Sequence, residues 1–219
     1  MRIILPAILV KDKKELEEQL SKVHGLVSWV HLDIMDGIFA PSTTSLTPED
    51  VGTMRVSMHI EAHLMIDHPE KVIDRWIASP VQRILLHYES TDQNTLILLL
   101  KKIALSGKSS GVVLNMQTPL WVIDFLLSEI RVEVIQLMSI DTIGTYGIPF
   151  NDKVLYRIAA LHQKHPAVVI AVDGGVSLKN ISALQEAGAS HFSVGSAIFH
   201  SANIHETIKQ FKGNHSSSR

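Results

Sequence analysis

The stretch Val30-His31-Leu32-Asp33-Ile34-Met35-Asp36-Gly37 joins an apolar run to two carboxylates and a glycine. A second stretch, Val172-Asp173-Gly174-Gly175-Val176, repeats this order of apolar residues, carboxylate and glycine. Such runs are typical of parallel strands that are buried on both faces, and in parallel barrels the site residues lie at the C-terminal ends of the strands. Both stretches therefore predict strands whose C-terminal ends open into a functional site.

Apolar runs alternate with helical patterns along most of the chain. The predicted strands are 3–9, 29–33, 59–65, 83–87, 111–114, 134–138, 168–173 and 191–194. The predicted helices are 13–24, 69–78, 93–105, 119–129, 152–164, 180–187 and 203–211, with only a short helix possible in 47–54. This alternation predicts an α/β fold, a single-domain (β/α)8 TIM barrel over residues 1–212. A doubly wound open sheet alternates similarly, so the pattern alone does not close the barrel.

Strand alternation places the polar residues of these strands on one face. Residues i and i+2 point the same way, so His31 shares a face with Asp33, and His63 shares one with Met65. A lone histidine at a strand end is more often a core or rim residue than a ligand, but carboxylates are costly to bury unless they are paired or metal-bound. With Asp173, two imidazoles and two carboxylates predict a metal site that contains its own acid and base.

Composition narrows the possible function classes. The chain of 219 residues has 20 basic and 22 acidic residues and a net charge of -2, so nothing indicates binding to nucleic acid or to an acidic membrane. It has no cysteine, which leaves nitrogen and oxygen as the metal ligands. We expect a cytoplasmic enzyme, because the N-terminus is too short for a signal peptide and no apolar run is long enough to cross a bilayer. Residues 213–219 are expected to form a disordered tail.

The motifs of the chain, taken together, resemble the ribulose-phosphate 3-epimerase family of the ribulose-phosphate-binding barrels. The resemblance runs in order through nearly the whole chain, and the combination is specific, although Asp-Gly-Gly or Gly-Ser alone would be weak. The motifs that carry it are Pro6-Ala7-Ile8-Leu9, His31-Leu32-Asp33-Ile34-Met35-Asp36-Gly37, His63-Leu64-Met65-Ile66, Gly111-Val112-Val113-Leu114-Asn115, Thr118-Pro119, Met138-Ser139, Val172-Asp173-Gly174-Gly175-Val176 and Gly195-Ser196-Ala197-Ile198-Phe199.

The resemblance implies a ligand set and a mechanism. In the family, the residues that match His31, Asp33, His63 and Asp173 bind one divalent metal ion, usually Zn²⁺ or Fe²⁺, and Mn²⁺ or Co²⁺ also suits such ligands. The implied reaction is epimerisation at C3 of a ketose phosphate, D-ribulose 5-phosphate to D-xylulose 5-phosphate in the first place. Asp33 and Asp173 would be the acid and base on opposite faces of the substrate, and the metal would polarise the C2 carbonyl and stabilise the enediolate.

Further positions that match the family are expected to contact the substrate. Three methionines would form an apolar wall that excludes water, although methionine is also common core filler. Backbone N–H groups after the last two strands would hold the phosphate. The predicted substrate-binding set is Ala7, Met35, His63, Met65, Met138, Gly144, Gly147, Gly174, Gly175, Gly195 and Ser196. Beyond this set, His87 and Glu89 could orient a metal ligand or belong to the polar rim.

Two departures from the family pattern concern substrate specificity. Ala7 stands where the family usually has a serine that contacts the sugar. Segment 141–150 replaces a pattern close to Asn-Pro-Gly-Phe-Gly-Gly-Gln, is one residue longer, and keeps glycine only at Gly144 and Gly147. Because this loop covers the substrate in the family, the change could mean another ketose phosphate or weak activity.

Three interpretations of the chain therefore stay open. The first is a 3-epimerase for D-ribulose 5-phosphate or for another pentulose or hexulose phosphate, such as allulose 6-phosphate. The second is a decarboxylase or aldolase-like synthase of the same superfamily. Met35 argues against it, because those enzymes have a lysine at this position. The third is a catalytically weak sugar-phosphate-binding paralogue. The retained carboxylates argue against it, because buried carboxylates without a function would cost stability. The family forms dimers or hexamers, so a homo-oligomer is also expected.

Overall fold

The computed structural model describes residues 2–54, 56–145 and 147–213. Its strands, β1 to β8, are Ile3–Ile8, Trp29–Met35, His59–Met65, Arg83–His87, Ser109–Leu114, Val134–Met138, Val169–Asp173 and His191–Val194. Its α-helices, α1 to α9, are Lys13–Val23, Pro48–Gly52, Ile73–Ala78, Gln93–Leu105, Trp121–Glu129, Lys153–Lys164, Ile181–Glu186, Ser196–Phe199 and Ile204–Phe211. Short 3-10 helices at Pro69–Lys71 and Tyr88–Ser90 follow β3 and β4. Of the predicted tail 213–219, residues 214–219 lie outside the described residues.

The eight strands form a closed barrel. Each strand pairs in parallel with the next one along the chain, and β8 pairs with β1, with Val194 opposite Pro6. This closure confirms the predicted (β/α)8 TIM barrel and excludes the open doubly wound sheet. The register places Asp33 beside His63 and Met138 beside Asp173, so the C-terminal strand ends gather the predicted site residues at one end of the barrel.

Alternate residues of each strand serve two different cores. On β2, Val30, Leu32 and Ile34 belong to the main hydrophobic core between the strands and the helices. The residues between them point into the barrel, where Met35 and others form a smaller apolar cluster. Further members of that inner cluster are Met65, Leu85, Val113, Val134, Met138 and Ala171. The interior is thus apolar where it is not occupied by the polar site residues.

One segment departs from the predicted helices, and another forms the short helix that the sequence left open. The single helix predicted over 69–78 is instead a 3-10 turn followed by α3, because Val72 interrupts the helix with a φ of -126°. In the 47–54 segment, α2 begins where Thr47 and Asp50 form a reciprocal capping box around Pro48. Within the described ranges, no helix has both the length and the apolar character needed to span a membrane.

Candidate active site

Four side chains converge at the C-terminal ends of β2, β3 and β7. His31, Asp33, His63 and Asp173 each offer one donor atom, and these atoms all lie within 4.8 Å of one another. His31 Nε2 lies 3.2 Å from Asp33 Oδ1 and 3.8 Å from Asp173 Oδ2, while His63 Nδ1 lies 3.0 Å and 3.5 Å from the same two oxygens. The two imidazole nitrogens are 3.1 Å apart. The fold therefore brings the four predicted metal ligands together.

The spacing of these donor atoms fits a divalent metal ion. Tetrahedral bonds of about 2.1 Å to histidine nitrogen and carboxylate oxygen would place neighbouring donor atoms about 3.4 Å apart. The five separations that involve a histidine nitrogen, from 3.0 to 3.8 Å, bracket this distance, and the two aspartate oxygens lie within 4.8 Å of each other. Two imidazoles and two carboxylates suit zinc, ferrous iron, manganese or cobalt, so the ligand set fits one such ion without selecting among them.

The two aspartates lie in different electrostatic surroundings. Burial raises the pKa of Asp33, but hydrogen bonds with His31 and His63 outweigh burial and hold this pKa well below its ordinary value. Burial raises the pKa of Asp173 to about 6. The attraction of His31 lowers this pKa, and the repulsion of Asp33 raises it again. Carboxyl groups with separated pKa values can take the roles of base and acid within one site.

A buried ion pair supports His31 from the opposite side of the ring. His31 Nδ1 lies 2.6 Å from Glu61 Oε1, and Arg83 Nη1 donates a hydrogen bond of 2.8 Å to Glu61 Oε2. The Arg83 guanidinium also lies 4.3 Å from the centroid of the Trp29 ring. Burial raises the pKa of Glu61, but His31 and Arg83 overcome it and lower the pKa to about 2. The ionised Glu61 thus accepts the Nδ1 hydrogen and leaves Nε2 aimed at the donor atoms of Asp33, His63 and Asp173.

A cavity of about 190 Å³ opens at Asp33 and Asp173. Of the predicted substrate-binding residues, it is lined by Ala7, Met65, Met138, Gly144, Gly147, Gly174, Gly175, Gly195 and Ser196. Met35 and His63 do not line it: both are buried, with 3% and 0% of their surface exposed. His63 therefore meets the site through its ring nitrogen, and Met35 lies beneath the loop that follows β6.

The described part of segment 141–150 lies over the cavity. Gly144, with φ +76°, approaches the loop after β2 so closely that a Cβ there would lie 2.7 Å from Ala40 Cβ and 3.0 Å from Met35 Sδ. Gly175, with φ +66°, faces Phe150 at the other end of the segment, where a Cβ would lie 3.1 Å from Phe150 Cβ. Glycine is needed at both positions, because a side chain would disturb both the backbone conformation and this packing.

Residues 3–199 match the sequence model of the ribulose-phosphate 3 epimerase family. The chain belongs to this family. It is 33% identical to ribulose-phosphate 3-epimerase of Synechocystis sp. over 213 residues, which is 94% of this chain and 91% of the relative. It is 30% identical to the enzyme of that name from Schizosaccharomyces pombe over 211 residues, 94% of this chain and 90% of the relative. As a member of the ribulose-phosphate 3-epimerase family, the protein is an isomerase acting on sugar phosphates.

Solved structures with lower sequence identity share the fold of this family member. One is a ligand complex of KGPDC from Streptococcus mutans, with a TM-score of 0.76, 16% identity and coverage of 97% of this chain and 96% of that chain. Another is a 3-hexulose-6-phosphate synthase, with a TM-score of 0.72, 17% identity and coverage of 98% and 99%. At such identities, the likeness concerns the barrel and not the chemistry.

Several residues of the epimerase-family site were not predicted from the sequence. Glu61 lies two residues before His63, so strand alternation could have placed it on the same inward face. Gln136 is fully buried, and its Nε2 lies 3.4 Å from Asp173 Oδ2. Ser193 lines the cavity and its hydroxyl lies 3.2 Å from His31 Nδ1. These contacts depend on which strands are neighbours, which no motif reveals.

We expect Glu61→Gln to lower the free energy of unfolding by about 3 kcal/mol or more, because removing one partner of a buried ion pair leaves the other charge uncompensated. Equilibrium urea unfolding measures this loss. Glu49→Gln is the matched control, since Glu49 pairs with Arg75 at 2.6 Å but the two side chains are 62% and 54% exposed. The control should leave stability nearly unchanged. Equal losses in both variants would contradict a specific role for the buried Glu61–Arg83 pair.

Proposed function

We propose that this protein catalyses metal-dependent epimerisation at C3 of a ketose phosphate, with D-ribulose 5-phosphate and D-xylulose 5-phosphate as the interconverted pair. The observation that carries the proposal is that Asp33 from β2 and Asp173 from β7 line one cavity beside two histidine nitrogens. Inverting a carbon next to a carbonyl requires proton removal from one face and proton delivery to the other, and two carboxyl groups that flank the carbon can perform both steps. Family membership supports a pentulose phosphate as substrate.

Asp33 and Asp173 would exchange the roles of base and acid. In the metal-free protein the pKa of Asp33 is lowered and the pKa of Asp173 is raised to about 6, so the two carboxyl groups already differ before any metal binds. Asp33 would accept a proton from C3 on one face, and Asp173 would deliver a proton to the opposite face. In the reverse direction the roles are exchanged, so the two protonation states alternate with each turnover. A divalent ion held by the four ligands would supply the positive charge that stabilises the enediolate oxygens.

The apolar part of the cavity wall would keep water from the reacting carbon. Met65 and Met138 line the cavity on the side of β3 and β6, and Ile140 and Ile148 add apolar surface from the loop after β6. Solvent water readily protonates an enediolate. An apolar wall that excludes water leaves this protonation to the acid group of the enzyme. We assign Met65 and Met138 this role in substrate binding.

The phosphate would be bound by backbone N–H groups rather than by cationic side chains. Among the described residues, no lysine or arginine lines the cavity. The lining does include Gly174 and Gly175 after β7, and Gly195 and Ser196 after β8. Barrels of this architecture commonly bind phosphate at the loops after strands seven and eight. We therefore assign the phosphate to these two turns.

We expect Gly175→Ala to raise KM for the sugar phosphate about tenfold, with a smaller effect on kcat. This change in KM corresponds to the free energy of about one hydrogen bond. The added methyl group would meet Phe150 at 3.1 Å and push the turn away from the phosphate. Steady-state kinetics measure this effect. Gly25→Ala is the control, because Gly25 also has a positive φ, +74°, but no atom lies within 4 Å of the position that its Cβ would take. An unchanged KM in Gly175→Ala would contradict the phosphate assignment.

Metal binding at pH 7 should release a proton from His31. Burial lowers the pKa of His31, but hydrogen bonds and attraction from Asp33 and then Glu61 raise it well above its ordinary value in the metal-free protein. A metal ion at Nε2 must displace that proton, so release should diminish as the pH rises through the His31 pKa. Calorimetric titration of Zn²⁺ in two buffers of different ionisation enthalpy measures the number released. A released-proton count that stays constant as the pH rises through the titration of the metal-free His31 would contradict this expectation.

Substrate comparison tests the proposed reaction. The second candidate is 3-epimerisation of a hexulose phosphate such as allulose 6-phosphate, which is favoured by Ala7 in the cavity wall and by the altered segment 141–150. The metal-loaded protein is assayed for kcat/KM with both substrates under identical conditions. A higher value for ribulose 5-phosphate supports the proposal, and a higher value for the hexulose phosphate replaces it with the second candidate. Binding of both without turnover would indicate a sugar-phosphate-binding paralogue.

We further propose that the protein acts as a homo-oligomer, a dimer or a hexamer. Exposed apolar side chains support this, notably Leu98 and Leu105 on α4 and Trp121 on α5, with 66%, 88% and 63% of their surface accessible in the single chain. Light scattering of the purified protein measures the assembly. The cytoplasmic location remains a prediction from the sequence.

A further inference from the structure

A second buried histidine lies directly behind His63. His87, at the end of β4, places its Nε2 2.9 Å from Nε2 of His63, and the two rings stack with centroids 5.0 Å apart. The other ring nitrogen of His87, Nδ1, lies 3.2 Å from Oε2 of Glu89. Both imidazoles are fully buried. His63, His87 and Glu89 thus form a chain that leads away from the four ligand atoms, and neither His87 nor Glu89 belongs to the ligand set.

The far end of this chain is anchored by the loop after β5. Glu89 Oε1 accepts a hydrogen bond of 3.0 Å from the Asn115 backbone N–H and another from the Thr118 hydroxyl. Phe39 packs against the His87 ring, with centroids 4.8 Å apart. Glu89 cannot turn away without losing two donors, and His87 is held between Phe39 and His63. The positions of both side chains are therefore determined by contacts outside the metal site.

The hydrogen positions along the chain follow from the role of His63. A neutral imidazole has one N–H group and one lone pair, so a His63 that offers the Nδ1 lone pair to a metal carries its hydrogen on Nε2. This N–H points at His87 Nε2, which must then be an acceptor. His87 consequently carries its hydrogen on Nδ1, where the Glu89 carboxylate accepts it. One arrangement of hydrogens satisfies every contact in the chain.

We infer that His87 and Glu89 are positioning residues that hold His63 in the tautomer able to bind the metal, an inference that rests on the proposed metal site. His31 is supported by the Glu61 carboxylate directly, whereas His63 is supported by the Glu89 carboxylate through one intervening imidazole. Without an acceptor at His87, the buried Nε2–H of His63 would have no partner. The hydrogen could then move to Nδ1, where it blocks coordination.

Nitrogen NMR of the wild-type protein tests the inference without any substitution. The protein is labelled with ¹⁵N-histidine, loaded with Zn²⁺, and the tautomer of each ring is read from its long-range ¹H–¹⁵N couplings. We expect the hydrogen on Nε2 in His63 and on Nδ1 in His87. Bound zinc with the His87 hydrogen on Nε2 would overturn the inference alone. A wild-type protein that binds no zinc would overturn the proposed metal site and the inference with it.

Zinc affinity of three variants provides a second test, by competition with a chromogenic chelator. His87→Phe removes the acceptor and should weaken zinc binding about 10- to 100-fold, as the loss of a group that orients a ligand typically does. His87→Gln should recover most of the affinity, because its amide oxygen is as many bonds from Cβ as Nε2 of histidine. Phe39→Leu is the control, since it alters the packing on His87 but keeps the hydrogen-bond chain. A folded His87→Phe variant with wild-type affinity, or an equal loss in all three, would overturn the inference.

Discussion

Asp33→Asn and Asp173→Asn should each lower kcat by about 10³-fold or more, because each removes a group that transfers a proton at C3. An amide has nearly the same shape as a carboxyl group but neither accepts nor releases a proton near neutral pH. Each substitution also removes an anionic metal ligand, so the loss combines proton transfer with weaker metal binding. Epimerisation of D-ribulose 5-phosphate, followed with saturating metal, measures the effect.

Asp36→Asn is the matched control for these two variants. Asp36 directly follows β2, and its carboxylate accepts hydrogen bonds from the backbone N–H groups of Ile38, Phe39 and Asp67. It lies outside the four-ligand group and does not line the cavity. The control should therefore keep most of its activity even if stability falls. Wild-type kcat in either Asp33→Asn or Asp173→Asn would disprove the two-carboxylate mechanism.

Removal of the metal should lower kcat by more than about 100-fold, because the lost stabilisation of the enediolate is worth several kcal/mol. The barrel should stay folded. The metal-free protein keeps an internal cation, since the raised pKa of His31 leaves its ring protonated beside Asp33 and Glu61. This imidazolium is fully buried and does not line the cavity, so it cannot take the place of the metal ion at the substrate oxygens. Activity and circular dichroism before and after chelation measure the two expectations.

Restoring the metal completes this experiment. Zn²⁺, Fe²⁺, Mn²⁺ or Co²⁺ should restore turnover, because each accepts mixed nitrogen and oxygen ligands. Mg²⁺ is the control ion and should not restore it, since it prefers oxygen ligands and keeps much of its hydration shell. Full activity of protein shown to contain no metal would contradict the proposed role of the ligand set.

Strand alternation explains why the candidate metal ligands could be picked out from the sequence. His31 and Asp33 lie two residues apart on β2, and a strand must then present both to the same side. Asp173 is the last residue of β7, where parallel barrels display functional groups. These features are local, so they are visible in a single stretch of chain. Closure of the barrel then brings the separate stretches together.

The sequence marks His87 and Glu89 only as candidates for orienting a ligand, and the contacts that support the candidate ligands could not be predicted in the same way. Glu61 meets Arg83 because β3 and β4 pair with these residues opposite each other, and this register is a property of the sheet. His87 meets His63 across the same strand pair, and Glu89 gains its backbone donor from the loop after β5. Contacts of this kind exist only after the strands have paired.

Specificity remains the least predictable property of the site. Ala7 lines the cavity with a methyl group, and the loop after β6 contributes Ile140 and Ile148 to the same wall. An apolar wall discriminates weakly between substrates that differ by one carbon or one hydroxyl group. The substrate comparison is therefore needed alongside any test of mechanism.

Proton NMR in D2O tests the central claim most directly. D-ribulose 5-phosphate is incubated with the metal-loaded protein, and the C3 hydrogen and the signals of xylulose 5-phosphate are followed over time. We expect loss of the C3 hydrogen together with formation of the epimer, and neither process in Asp33→Asn or Asp173→Asn. A metal-loaded protein that leaves the C3 hydrogen unexchanged would contradict the assignment of this substrate and of its epimerisation.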